Sequence, residues 1–136
     1  MILKPTMPVV ALLLALSGPA AAQVQFSQEQ ADQGKSIFTM QCESCHGGDL
    51  NGGVGGGPPL TGDYFLDLWA DQPVSGLFHF IKDTMPADTP GSLSSADVAR
   101  LIAYILQFGG AEAGGEPLSS DPNALDAITL ERPADN

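Results

Sequence analysis

The sequence predicts a small all-α domain in which short helices and irregular loops surround one core. Apolar residues recur at helical spacing behind two separate cap signals, and no segment alternates apolar and polar residues as a half-buried strand would. Between the two helical stretches lies "GGDLNGGVGGGPPLTGDYF", too glycine-rich for a regular element. With 136 residues, 43% of them hydrophobic, the chain has material for one such core.

Residues 1–22 read as a secretory signal. Lys4 supplies the positive start, "PVVALLLALSG" is shorter than the roughly 20 apolar residues of a membrane span, and Ala20-Ala21-Ala22 offers a small-residue cleavage site. The expected organisation is therefore a signal over 1–22, a folded domain over 23–110 and an extension over 111–136, exported to the periplasm without a membrane anchor.

The first helix begins at Ser27, which with Gln30 forms a capping-box pattern; Ala31, Gly34, Ile37 and Phe38 then share one face up to Gln41. The last begins at Ser94, with Asp97 as its cap partner. Val98, Leu101, Ile102, Ile105 and Phe108 trace its apolar side until Gly109-Gly110 ends it. A third, capped by Ser75, is expected to run through Asp83. On it Val74, Leu77, Phe78, Phe80 and Ile81 lie together, with Ser75, His79, Lys82 and Asp83 opposite.

Cutting off Lys4 leaves four basic residues against sixteen acidic ones, a net charge of −12. Such a surface repels phosphate backbones, which excludes nucleic acid as a partner, and it favours partners carrying basic patches.

Chemistry concentrates at "CESCH", where the chain's two cysteines, Cys42 and Cys45, precede His46. C-x-x-C-H is the attachment signature of c-type haem: two thiols add to the porphyrin vinyl groups and the adjacent histidine is placed to ligate iron. A disulfide, a redox pair and a zinc site are the alternatives. Zinc needs two more good ligands, and the chain has no further cysteine and one other histidine; a redox pair needs a βαβ setting that the neighbouring sequence lacks. One covalently bound haem c would also give a glycine- and proline-rich chain of this size the centre of its core.

Two residues compete to be a second iron ligand. His79 falls on the polar side of its helix and faces water. Met85 leaves the end of that helix directly before Pro86, which biases it toward extended backbone, and Pro90 closes the same loop. Core packing is the other use of a methionine. Met1 and Met7 depart with the signal, and Met40 lies too near Cys42 to reach the far face of a haem.

With these residues in view, the stretch from Phe26 to Phe108 resembles the class I cytochromes c. Gly34 and Phe38 ahead of "CESCH" and the late "LIAYI" correspond to the first and last helices of that family, which cross, so the implied fold is small helices and loops wrapped around one covalent haem. "GPPL" resembles the family's G-P-x-L, which implies the Pro58 carbonyl as acceptor for His46. "TMPADTPGSLS" implies Met85 as sixth ligand, and Trp69 is implied as a donor to a haem propionate, with ordinary core packing as the other use of that residue. The same run and the tail "PLSSDPNALDAITL" are similar to cytochromes that accompany quinoprotein alcohol dehydrogenases.

The function so implied is single-electron transfer, from a quinoprotein dehydrogenase to an oxidase or another cytochrome of the respiratory chain. No nucleophile with its base is present, so no catalytic residue is expected. A haem enzyme or gas-binding protein with an open sixth position is the alternative. Tyr64, Phe65 and Tyr104 are expected in the pocket or at the helix crossing, and Asp63, Asp67 and Asp71 on a solvated face.

Overall fold

The computed structural model describes residues 23–132; the expected signal segment lies outside them. The described residues form six helices in the order α1 (Gln28–Gln41), α2 (Glu43–His46), α3 (Gly62–Trp69), α4 (Val74–Thr84), α5 (Ser95–Phe108) and α6 (Pro122–Leu125). Among them there is no strand, only two isolated bridges, Ser27 with Gly114 and Pro73 with Thr129. The fold is all-α.

The main packing is α1 against α5. A Cβ added to Gly34 would lie 1.9 Å from the carbonyl oxygen of Arg100, so the helices meet backbone to backbone at this glycine. Phe38 and Tyr104 fill the crossing with ring centroids 5.4 Å apart. Ala31, Val98, Leu101 and Ile102 are buried around it, as the helical spacing requires. Phe108 departs from the expected apolar face: it is 47% exposed in the last turn of α5, where the contact with α1 is made by its neighbour Gln107, bonded to Gln28 at 2.6 Å.

Cap geometry sets where α1 and α5 begin. Ser27 accepts a hydrogen bond from the Gln30 amide at 3.1 Å, and Ser94 one from Asp97 at 3.1 Å. The capping box of α1 is only half formed, because the Gln30 side chain turns elsewhere. Its Nε2 donates to the Leu118 carbonyl at 2.9 Å and its Oε1 accepts from the Leu118 amide at 2.8 Å, as a neighbouring strand would.

That pairing fastens the segment after α5 to the helical core. Leu118, Leu125 and Leu130 are buried. Backbone hydrogen bonds from Val74 to Ile128, from Leu130 to Gln72 and from Asp71 to Leu130 tie its end to the start of α4, and Gln23 reaches Glu131 at 3.3 Å.

The tail also corrects the expected start of α4. Ser75 is neither a cap nor exposed: Pro73 occupies the cap position, and Ser75 is buried, donating a hydrogen bond to Asp126. A wheel drawn on α4 alone cannot register a covering segment fifty residues away. No described helix is long and apolar enough to cross a membrane.

Candidate functional site

Between the helices lies a cavity of about 860 Å³, walled mainly by apolar side chains. Phe38 of α1, Leu101 and Ile105 of α5, Phe65 and Trp69 of α3, and Leu77 and Ile81 of α4 contribute to its lining. Cys42, Cys45, His46 and Met85 all open onto it. Sequence motifs about forty residues apart thus meet in one mainly apolar space of the size that takes a large planar ligand.

The geometry around His46 is the most constrained part. The α1 helix breaks at Cys42, and one further turn, α2, carries Cys45 and His46 around to the cavity; the His46 amide donates back to the Cys42 carbonyl at 2.9 Å. Its ring Nδ1 lies 2.9 Å from the Pro58 carbonyl oxygen. A carbonyl only accepts, so Nδ1 is the donor here, and in the neutral ring this leaves the Nε2 lone pair for a metal. This is how a metal-ligating imidazole is oriented by its surroundings.

The glycine-rich loop is moulded on the same turn. The Gly57 amide donates to the Cys45 carbonyl at 3.0 Å and that of Gly52 to the His46 carbonyl at 2.9 Å. A Cβ at Gly57 would lie 2.7 Å from the Cys45 oxygen and 2.9 Å from His46 Nδ1, and one at Gly55 would lie 2.5 Å from the Ser44 oxygen. Gly55 and Gly57 are required by close approach to the C-x-x-C-H backbone, whereas Gly52 and Gly56 take positive φ values of 87° and 83°, which favour glycine.

Both cysteines are free thiols. Burial, and then the charge of Cys45, push the Cys42 thiol up to about 11. A redox-active C-x-x-C pair needs the opposite shift, toward a thiolate, so this environment does not suit that alternative. Among the described residues no cluster of three or more His, Cys, Asp or Glu side chains could hold a metal ion, which removes the second half of a zinc site.

Met85 ends α4. Its amide donates to the Ile81 carbonyl at 3.0 Å, its backbone is extended at φ −116° and ψ 150°, and its half-buried side chain faces the cavity. His79 is exposed and takes no part in the lining; Met40 is 74% exposed and also outside it. Trp69 is half-buried, 5.4 Å from the Phe80 ring, with both rings on the cavity wall. Tyr64 and Phe65 line the cavity, while Tyr104 stands at the crossing. Asp63 and Asp67 are exposed on α3, and Asp67 pairs with Arg132 at 2.8 Å.

The residues fit a haem c. Two thiols and an imidazole share one turn, the imidazole is fixed through its Nδ1, a thioether opens onto the same cavity, and most of the remaining lining is apolar. What sequence reasoning missed is the support around this set. The contact of Gly57 with His46 and the double hydrogen bond of Gln30 both depend on residues that only the fold brings near.

Comparison with known proteins agrees with this geometry. The family model described as cytochrome c oxidase, cbb3-type, subunit III matches residues 29–105, which run from the start of α1 to near the end of α5. A thiosulfate dehydrogenase of Stutzerimonas stutzeri (strain A1501) is 37% identical over 97 residues, covering 66% of this chain and 32% of that protein. The chain thus spans about a third of that relative's length. The crystal structure of the sulfane dehydrogenase SoxCD from Paracoccus pantotrophus matches with a TM-score of 0.56 at 20% identity, covering 93% of this chain and 68% of that one, a likeness of fold. With its C-x-x-C-H turn, its crossed terminal helices and a family match over more than half its length, the chain belongs to the class I cytochrome c family, whose cofactor is haem c and whose work is electron transfer.

Proposed function

We propose that this protein is a periplasmic carrier of single electrons, holding one haem c through thioether bonds from Cys42 and Cys45, with His46 and Met85 as the axial ligands. When bound, haem c supplies a one-electron Fe(III)/Fe(II) couple. The residues of the chain decide what that couple is used for. The Pro58 carbonyl orients His46 and the end of α4 presents Met85, so that a haem held by both residues would have no position left for oxygen, peroxide or substrate. A thioether opposite an imidazole also favours the reduced state, raising the potential. Trp69 lines the cavity, and its indole N–H is the donor we assign to a haem propionate.

The observation that carries this reading is that Met85, and not His79, shares the cavity with the fixed imidazole of His46. The donor we propose is an exported dehydrogenase, with a quinoprotein as the form suggested by the "TMPADTPGSLS" run, and the acceptor an oxidase or another cytochrome of the respiratory chain. The likeness to a thiosulfate dehydrogenase supports a dehydrogenase as the partner, without naming its substrate.

The test is the weak near-infrared band that iron–thioether ligation gives to oxidised haem proteins. It is expected in the wild type and lost in Met85→Ala. A wild-type protein without that band, binding carbon monoxide readily, would instead be a haem enzyme or gas-binding protein with an open sixth position.

A further inference from the structure

We propose that the segment after α5 is a strap that keeps Met85 in place, with Ser75 and Asp126 as the positioning residues through which it acts on α4. The proposal rests on the electron-carrier reading above, in which Met85 is an iron ligand, and adds what holds that ligand in position.

Met85 takes its position from α4. It directly follows the helix, and its amide donates to the Ile81 carbonyl at 3.0 Å. Residues 87–92 beyond it are exposed. Their backbone hydrogen bonds are local, from the Thr89 amide to Pro86 and from the Ser92 amide to Thr89, and Lys82 reaches the Gly91 carbonyl at 3.4 Å from α4 itself. The loop therefore follows the helix.

The start of α4 is held by the strap. Its cap residue, Pro73, makes no side-chain cap hydrogen bond, and the Val74 amide donates instead to the Ile128 carbonyl at 2.9 Å. In the connector ahead of it, the Asp71 amide donates to the Leu130 carbonyl at 2.8 Å, and the Gln72 carbonyl accepts from the Leu130 amide at 2.9 Å. Buried Ser75 gives its hydroxyl to Asp126, and α6 packs on α4 with Leu125 fully buried. A buried hydroxyl is costly without a partner, so the Asp126 carboxylate fixes the register of the helix: α4 cannot slide or turn without parting from it.

The helix carries that constraint to the cavity. Ser75 and Met85 stand ten residues apart, about 15 Å along a helix axis. Leu77 and Ile81 line the cavity, whereas Val74 and Phe78 are buried outside its lining. A rod pinned by the strap at one end thus presents Met85 at the other, and freedom gained at Ser75 becomes displacement at Met85.

The experiment mixes the haem-loaded protein, in its reduced form, with carbon monoxide by stopped flow. Carbon monoxide can bind only when Met85 leaves the sixth position, so its rate reads that release. Asp126→Ala is expected to raise the rate by about fivefold or more. Asp126→Asn keeps an oxygen acceptor for the Ser75 hydroxyl and should stay within about twofold of the wild type. Ser27→Ala removes the cap of α1, a helix that does not pack on α4; it should lower the denaturant midpoint yet leave the carbon monoxide rate within about twofold. An unchanged rate in Asp126→Ala, an equal rise in Ser27→Ala, or no recovery in Asp126→Asn would overturn the strap while the wild type's near-infrared band keeps the carrier reading intact. A wild type without that band would remove the carrier reading and this proposal with it.

Discussion

Gly34 on α1 faces Arg100 on α5 with no room for a side chain: a Cβ would lie 1.9 Å from the Arg100 oxygen and 2.9 Å from the Tyr104 Cβ. The obstacle is backbone, which cannot rotate aside as a side chain can. Gly34→Ala is therefore expected to cost about 3 kcal/mol or more, at or beyond the upper end of ordinary overpacking. The gain in helix propensity from replacing a mid-helix glycine recovers only about 1 kcal/mol. Urea denaturation of the haem-loaded protein measures the difference.

The Gln30 amide holds both the N–H and the C=O of Leu118 in a buried setting. Gln30→Leu keeps the volume but leaves both backbone groups without partners, at about 1–3 kcal/mol for each orphaned group. Hydrogen exchange should show the Leu118 amide losing protection while α5 keeps its own. Equal loss across α5 would mean that the tail and the core unfold as one unit.

Gly57→Ala is expected to disturb the site rather than the fold. Its Cβ would press on both the Cys45 carbonyl and His46 Nδ1, and the ring must leave the Pro58 oxygen to make room. The partners that orient a metal-binding histidine commonly matter by about tenfold or more in function. The expected result is a lower yield of covalently bound haem per protein on a denaturing gel, with helix content by circular dichroism unchanged.

Asp97 is held below the usual carboxylate range, chiefly by the Ser94 hydroxyl and further by Arg100, against some desolvation. A depressed folded-state value means that the contribution is present above the ordinary value and disappears as pH falls through the folded one. Loss should begin as pH drops toward about 4. In Asp97→Asn the stability profile should be flatter over that acid range, by a small amount because the pair is well exposed to solvent. Denaturant midpoints at neutral and acid pH compare the two.

Much of this architecture was legible because its determinants are local. Ser27 and Ser94 cap helices through amides three residues away, and the faces of α1 and α5 follow from period alone. The C-x-x-C-H turn is equally local, since four residues of helix fix which side chains reach the cavity. Met85 was readable for a similar reason: Pro86 ends α4 and leaves the thioether at its terminus. What could not be read depends on segments distant in sequence. Ser75 looked like a solvent-facing cap because nothing near it announces Asp126, and Gln30 looked like half of a capping box because Leu118 is 88 residues away. Periodicity puts Phe108 on the buried side because it does not say which positions in the last turn of a helix the rest of the fold covers.

The meeting of Gln23 with Glu131 gives the unit a property unrelated to its haem chemistry. Entrance and exit of the described chain lie side by side, and Phe26 accepts a backbone hydrogen bond from Gly114 close by. Such a unit can be spliced into a host protein at a single surface point, like a bead on a loop of string, without stretching either partner. The cavity is built from elements inside that ring, so it would travel intact from one host to another.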